Sequence, residues 1–467
     1  MGNYEVYQSP FSWRYGSMEM RRIWGEYNKR HLWRQLWVAL AEVQEHFGLV
    51  STEKVADLHA HMDSVNVDRA LEIESEIQHD LMAELKTFAE QAKIGGAILH
   101  LGATSMDIED NAEVLRIRQS LNLVLDKLVS LLLIFAEKIE TWADLPLMAF
   151  THLQPAEPST LGYRLAQYAQ DLLMDWQDLL QVKRNLCGKG FKGAVGTSAS
   201  YAELIGVENL ILFEHMLSER LGLSFFSIAT QVYTRKQDYS VISGLAGLGG
   251  SLYKFAFDVR ILQSPSFGEW NEPFGKKQVG SSAMPFKRNP INAEKINSLG
   301  RALAQMPRLA WDNAAHSLLE RTLDDSANRR TLLPESFLIC DEILSVATKL
   351  VKGLQISESA IRRNLAMYAP FAATERVLMA LCKQGADRQE IHERLRIHAL
   401  KAWDGVQRGK TNPLDKSISK DLEFQRYLSE TALQNLMDVN NHLGDAPQRA
   451  REFAAALRRE IEIRPEI

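Results

Sequence analysis

Between Val114 and Trp142 the apolar side chains recur in steps of three and four, at Val114, Ile117, Leu121, Val124, Leu128, Leu131, Phe135, Ile139 and Trp142. This spacing lines one face of a single α-helix about eight turns long. Leu115, Leu123, Leu125 and Leu133 fall on its other faces, and a helix apolar nearly all round has to be buried on all sides. Such a rod belongs at the centre of a large bundle, which we expect other copies of the chain to complete. A second long helix is expected over Asp238–Gln263, where Gly244, Gly247, Gly249 and Gly250 permit close approach of a neighbour although glycine weakens a helix. These glycines do not make a phosphate loop, because no strand precedes them and no lysine follows at the required spacing. Alternating strand patterns are almost absent. The expected fold is all-α with three helical domains: residues 1–104, a long central bundle at 105–356, and residues 357–467.

A chain of 467 residues exceeds what one compact core supports, which agrees with this division. Hydrophobic residues at 46% and charged residues at 24% argue against extended disorder and against a coiled-coil rod. With a net charge of −5 there is no bulk attraction to nucleic acid or anionic membrane. Cys187, Cys340 and Cys382 are odd in number and lack CxxC spacing, so neither a disulfide framework nor a zinc site is expected. No basic-then-apolar run opens the sequence, and the longest strongly apolar run, Leu128–Ala136, is far short of a membrane span. A soluble, cytoplasmic protein is the expectation, with neither nucleic acid nor membrane as partner.

Turn-forming residues cluster at His100–Asp110, Gly188–Ser200 and Ser264–Pro290, which we take as candidate active-site loops. The last is long for a connection in a helical protein and, with Lys276 and Lys277, reads as a lid. It ends in Gly280-Ser281-Ser282-Ala283-Met284-Pro285-Phe286-Lys287-Arg288-Asn289-Pro290. A serine hydroxyl is a poor base unless its alkoxide is stabilised, which a nearby ammonium and loop N–H groups can do. The same residues also suit a plain surface loop, with serines for turn chemistry and Lys287-Arg288 as solvated charges. Thr104 and Ser105 precede a helix and offer either an anion site or an ordinary N-cap. His152 can protonate a leaving nitrogen if a carboxylate orients it, and is otherwise structural.

The serine-containing string resembles the shared loop of the fumarase/aspartase superfamily, GSSxMPxKxNP, at every fixed position. His100-Leu101-Gly102-Ala103-Thr104-Ser105 and Thr151-His152-Leu153-Gln154-Pro155-Ala156 are similar to two further motifs of that superfamily, in the same order. The resemblance implies Ser281 as catalytic base beside Ser282, Lys287 as the activating cation, and Glu294 as the carboxylate that pairs with His152. It also implies substrate binding by Thr104, Ser105, Thr151 and Asn289.

Within the superfamily the segment Glu320-Arg321-Thr322-Leu323-Asp324-Asp325-Ser326-Ala327-Asn328-Arg329-Arg330 looks like one found in adenylosuccinate lyases. Clustered arginines with a serine suit phosphate and carboxylate recognition, although a charged helix face capped by Asp324 or Ser326 has the same composition. The resemblance implies Arg321, Ser326 and Arg330 as substrate-binding residues. Ser9–Ser17 is similar to that family's SPLxxRYAS, which makes Arg14 and Tyr15 phosphate ligands. Gln78–Ala83 is similar to its HDVMA segment, giving His79 a part in proton handling and Asp80 one in binding, and Gln231 matches a substrate-binding glutamine. Asp387–Arg396 resembles its third domain, and Trp33-Arg34-Gln35-Leu36-Trp37 most of the TWRQLW of the animal-type branch, with Leu32 in place of threonine. Phe286 stands where tyrosine or histidine is usual. Lys295 replaces an arginine, offering a point charge where that branch has a planar fork.

The resemblance implies β-elimination of fumarate from adenylosuccinate, giving AMP, and from succinylated aminoimidazole carboxamide ribotide, by a homotetramer that shares its sites between subunits. Neither metal nor redox cofactor is implied. Another superfamily lyase or a carboxymuconate cycloisomerase would keep the serine loop but lack the Arg321–Arg330 string. A non-catalytic structural protein of the same fold would have no need of Ser281, His152 and Lys287.

Overall fold

The computed structural model describes residues 5–275 and 277–462, so Lys276 of the expected lid lies outside the described residues. Helices dominate. The N-terminal part holds α1 (Glu26–His46) and α2 (Asp80–Gln91). The central part is built from α3 (Ser105–Thr141), α4 (Leu161–Arg184), α5 (Lys236–Gln263), α6 (Ile291–Leu303) and α7 (Ser326–Lys352). After it come α8 (Glu358–Lys383), α9 (Arg388–Gln407) and α10 (Ala446–Glu462).

The first periodic segment forms α3, but a single chain does not bury it all round. Leu115 and Leu125 are buried, whereas Leu133 is 36% exposed and aligns with Asn122, Asp126, Ser130, Glu137 and Glu140 on an exposed stripe. These polar side chains recur at helical spacing, so one narrow face is made for water or for another copy. By length and composition α3 and α8 could each cross a membrane, which corrects the expectation built on Leu128–Ala136 alone. The apolar stripe of α3 is spent on protein packing, with Ile117, Leu121, Leu128 and Phe135 fully buried.

All four glycines of the second segment lie within α5. A Cβ at Gly244 would stand 2.9 Å from Leu179 of α4, and one at Gly249 2.9 Å from Leu303 of α6, so these two permit the expected close packing; Gly250 faces open space. The stretch Trp33–Trp37 is largely core: Trp33, Leu36 and Trp37 are buried, and buried Arg34 bonds Glu84 of α2 through Nε at 2.6 Å.

One hairpin departs from the strand-free expectation: β1 (Pro146–Thr151) pairs antiparallel with β2 (Gln154–Thr160), from Pro146↔Thr160 to Thr151↔Gln154, with an irregularity between Met148 and Phe150. Pro146, Pro155 and Pro158 hide it from pattern reading, because proline is tolerated only where a strand needs no further partner. A two-residue pairing of Trp270–Asn271 with Gln355–Ile356 likewise gives the Ser264–Pro290 segment some structure of its own.

One core spans the N-terminal and central helices, and a second holds Ala373, Val377, Leu381, Ile391, Leu395 and neighbours up to Met437. Helix α8 serves both, Ile361 and Leu365 in the first, Val377 and Leu381 in the second. The final helix leaves the C-terminal unit and returns to the main core through Ala450, Ala454, Leu457 and Ile461. At the junction of α3 and α4 the backbones nearly touch: a Cβ at Gly162 would lie 2.5 Å from the carbonyl oxygen of Ile139 and 2.7 Å from Ala143 Cα. Backbone cannot step aside as a side chain can, so Gly162→Ala is expected to destabilise the fold by about 1–3 kcal/mol. Denaturant unfolding of the variant beside the wild type measures this, and an unchanged midpoint would contradict the packing described.

Candidate active site

The sequence-predicted residues gather in three groups. In the first, α2 starts at Asp80 behind the left-handed Gln78 (φ 53°), and His79 is the N-cap, its Nδ1 3.5 Å from the Met82 N–H. Asp80 accepts from Arg330 of α7 at 2.9 Å. Burial pushes the Asp80 carboxyl up, but Arg330 and Lys29 outweigh it and hold it below the usual range. Asp80, Ser326 and Arg330 line one cavity of about 160 Å³ with Met106 and Glu109 from the start of α3. Gln231 reaches the neighbourhood through its backbone, whose N–H donates to the Glu320 carbonyl at 3.3 Å, beside Arg321.

Thr104 caps α3 in a capping box with Asp107, so the helix begins at Ser105 and the turn-rich stretch ends earlier than its expected limit at Asp110. The N-cap alternative thus holds for the Thr104 hydroxyl, while Ser105 occupies the first helical position. Asp107 in turn takes the Lys189 ammonium and the Gly193 N–H. The buried Gly188–Gly193 half of the second turn-rich segment therefore braces the start of α3.

Beneath this cavity lies a buried charge network. Arg235 bonds Asp110 at 3.0 Å and Asp325 at 2.7 Å, and Asp325 also takes Arg321 at 3.0 Å. Arg329 bonds Asp238 at 2.8 Å and the Tyr233 hydroxyl at 2.9 Å. Burial raises the Asp325 carboxyl, yet Arg235 together with Arg329 and Arg321 brings it below its ordinary value. Arg321 is thus committed to Asp325, and the suggestion that Asp324 or Ser326 caps the helix does not hold, since Asp325 is the N-cap and makes no side-chain cap bond.

The second group surrounds the serine loop and α6. Glu272 caps α6, accepting from the N–H groups of Asn292 at 3.0 Å and Ala293 at 2.6 Å, and Gln263 donates to the Arg288 carbonyl at 3.0 Å. On this base the tip is exposed, Phe286 at 84% and Lys287 with it. The Ser281 hydroxyl oxygen accepts from the N–H groups of Ala283 at 3.3 Å and Met284 at 3.1 Å. Such donors favour the deprotonated oxygen. The loop closes so tightly that a Cβ at Gly280 would stand 2.3 Å from the Lys287 carbonyl oxygen. Asn289 braces it, donating to the Gly280 carbonyl at 3.4 Å, so its amide serves the loop.

Glu294 is exposed in the first turn of α6. Lys295 beside it ion-pairs with Glu342 and stands 5.0 Å from the centre of the Tyr15 ring. Glu342 also accepts the Gly16 N–H at 2.9 Å, so Lys295 helps to fix the N-terminal turn and its charge is already shared. Arg14 lies exposed against the Trp13 and Tyr15 rings, 5.7 and 6.0 Å from their centres.

The third group is the hairpin tip. Thr151 ends β1, and His152 and Leu153 form the turn, both left-handed at φ 55° and 59° and both exposed. A two-residue hairpin needs such angles, usually from Asn-Gly; in His-Leu they are strained, and strain of this kind clusters at functional sites. Among the described residues no hydrogen bond, ion pair or ring contact joins a site residue of one group to one of another. His152 therefore does not meet Glu294 within its own chain. Pattern reading missed Glu109, although it stands four residues after Ser105 on the same helix face; it also missed Glu272, Asp110 and Arg235, whose roles depend on partners far off in sequence.

The lyase family model matches residues 14–303, and the model for the adenylosuccinate lyase C-terminus matches residues 370–453. A fumarate lyase from Mesorhizobium sp. BNC1 has the same fold, with a TM-score of 0.83 at 25% identity over 96% of this chain and 99% of its own. The 3-carboxy-cis,cis-muconate lactonizing enzyme of Pseudomonas putida shares the fold at 0.85, with 23% identity over 97% and 99%. Fold and family model define a lyase on the all-α scaffold of the fumarate lyases. Adenylosuccinate lyases of Schistosoma mansoni and Saccharomyces cerevisiae are 36% and 34% identical over 97% of this chain and 95% of theirs; that of Pyrococcus abyssi is 37% identical over 94% and 95%. The chain belongs to the adenylosuccinate lyase family and is a carbon–nitrogen lyase.

Asp110 lies at the junction of the cavity and the network. Asp110→Ala would leave Arg235 short of a buried counter-charge and is expected to cost about 3–5 kcal/mol. Thermal and denaturant unfolding report it; a loss under about 1 kcal/mol, typical of a surface pair, would show that the network does not carry this part of the fold.

Proposed function

We propose that this chain removes fumarate by β-elimination from adenylosuccinate, giving AMP, and from succinylated aminoimidazole carboxamide ribotide, in the cytoplasm and as a homotetramer. The observation that carries this reading is the serine loop, where two backbone N–H groups point at the Ser281 oxygen. Ser281 takes the proton from the carbon β to the nitrogen. Lys287 and the start of α3 at Thr104 and Ser105 stabilise the carbanion, whose charge spreads into the adjacent carboxylate. His152, oriented by Glu294 of another subunit, protonates the nitrogen as the C–N bond breaks. Arg14 and Tyr15 hold the phosphate, while Asp80, Gln231, Ser326 and Arg330 hold the rest of the substrate, with His79 assisting proton transfer.

Sharing between subunits is supported by the separation of the three groups and by the exposed His152. Large apolar side chains left uncovered by one chain, Ile228 at 83%, Leu319 at 91% and Phe257 at 44%, supply surface for assembly. Offering the protein adenylosuccinate, argininosuccinate and malate separately and following fumarate or product absorbance tests the substrate; turnover of argininosuccinate or malate alone would refute it.

Ser281→Ala and His152→Ala are each expected to lower kcat at least about a hundredfold with little change in KM, since each group acts on a proton in the transition state. Ser282→Ala is expected to lose much less. Mixing the two inactive variants under conditions of subunit exchange should restore part of the activity, because some hybrid sites then contain both native residues. Near-native turnover by Ser281→Ala would overturn the mechanism, and no recovery on mixing would argue that each site is made by one chain.

A further inference from the structure

The cavity of the first group is lined by more carboxylates than cations, and all but one of the carboxylates are paired. Glu26 pairs with Lys29 at 2.8 Å, Asp80 with Arg330 at 2.9 Å, Asp110 with Arg235 at 3.0 Å and Glu113 with Arg116 at 3.5 Å. Arg329, the remaining cation of the wall, is committed to Asp238. Glu109 is the exception. Half-buried in the wall, it has no hydrogen bond and no basic nitrogen within 4.0 Å among the described residues. It stands one helical turn beyond Ser105 on the same face of α3, in the cavity that Ser326 and Arg330 share.

An unpaired carboxylate in such a wall is under pressure to keep its proton. Burial, then the charges of Asp80 and Asp110, push Glu109 up to about 8 against the weaker pull of Arg330 and Lys29. Near neutral pH it is a neutral acid with a hydrogen to donate, and above about 8 it is an anion facing the place where an anion is to bind.

We propose that Glu109 contacts the oxyanion received by Ser326 and Arg330, a substrate carboxylate or phosphate, donating a hydrogen bond when protonated and repelling it when ionised, and so sets the upper pH limit of substrate binding. This rests on the reading of the cavity as part of the substrate site. It adds a residue to that site. The sign follows from the chemistry: binding favours the protonated acid, so affinity is full below the Glu109 pKa and falls as pH rises through it.

The test is the KM for adenylosuccinate from pH 6.5 to 9.5 in the assembled wild-type enzyme and in Glu109→Gln, which keeps a donor but cannot ionise. In the wild type KM should climb above about pH 8, by at most about tenfold per pH unit, while in Glu109→Gln it should stay flat. Inhibition by fumarate and by AMP at pH 7 and pH 9 identifies the anion, since both keep nearly the same charge over that interval: the one that loses affinity in the wild type but not in the variant carries the group that Glu109 meets. Should Glu109→Gln fail to assemble, Glu109→Met, lacking both donor and charge, should likewise give a KM independent of pH. A flat wild-type profile, the same climb in the variants, a KM raised equally at every pH, or pH-independent inhibition by both products would each overturn the proposal. Absence of wild-type turnover at pH 7 would instead count against the assigned substrate.

Discussion

Arg235 is the residue on which the site region turns. Its guanidinium is buried just before α5 and bonded to Asp110 on α3 and Asp325 at the start of α7, so one planar cation ties three elements together. Two fully desolvated ends of such a fork are costly to form and far costlier to break. The register of α3 against α7 is fixed by it, and with that register the side chains above: Ser326 and Arg330 on one wall, Met106 and Glu109 on the other. Arg329 and Asp238 repeat the device one turn on. The segment Glu320–Arg330 thus does two jobs, Arg321 and Arg329 binding the network while Ser326 and Arg330 line the cavity, so the favoured recognition reading and the charged helix face are both present in one stretch.

What was legible in the sequence follows from what is local. Helical periodicity gave α3 and α5 because each apolar position depends only on its neighbours three and four residues away. The serine loop was legible as a motif, and its contacts are local too, Ser281 to Met284 and Gly280 to Lys287. The hairpin carrying His152 was not read as strands, since its prolines break the alternation by which strands are recognised. The solvent-facing stripe of α3 escaped notice because Leu133 sits among its polar residues and the leucines elsewhere dominate the count. Glu109 and Glu272 escaped for another reason: a carboxylate's role is set by which charges lie opposite it, and those arrive from residues tens or hundreds of positions away.

Lys295 illustrates how a local substitution is absorbed. Where a fork-shaped side chain would present two donors, the ammonium instead joins Glu342 and the Tyr15 ring, and Glu342 carries the link to the Gly16 N–H. The N-terminal turn with Arg14 and the helix that follows the serine loop are held to one another and to α7. The residues proposed for the phosphate and for the first proton transfer therefore share a single mechanical frame, even though they are separated by most of the central bundle in sequence.

The return of α10 to the main core has a consequence for how the chain is made. Its side chains cover α3 and α4, and Arg458 reaches Glu140 at 2.8 Å across 318 residues. At the ribosome's pace of roughly 5–20 residues per second, that separation corresponds to about 15–60 s. Through that interval α3, apolar enough to resemble a membrane segment, has been synthesised while one of its covering helices does not yet exist. The nascent bundle thus passes through a dated period of exposure that ends only when α10 has been made, and the C-terminal unit, standing between α3 and its cover in sequence, lengthens that wait.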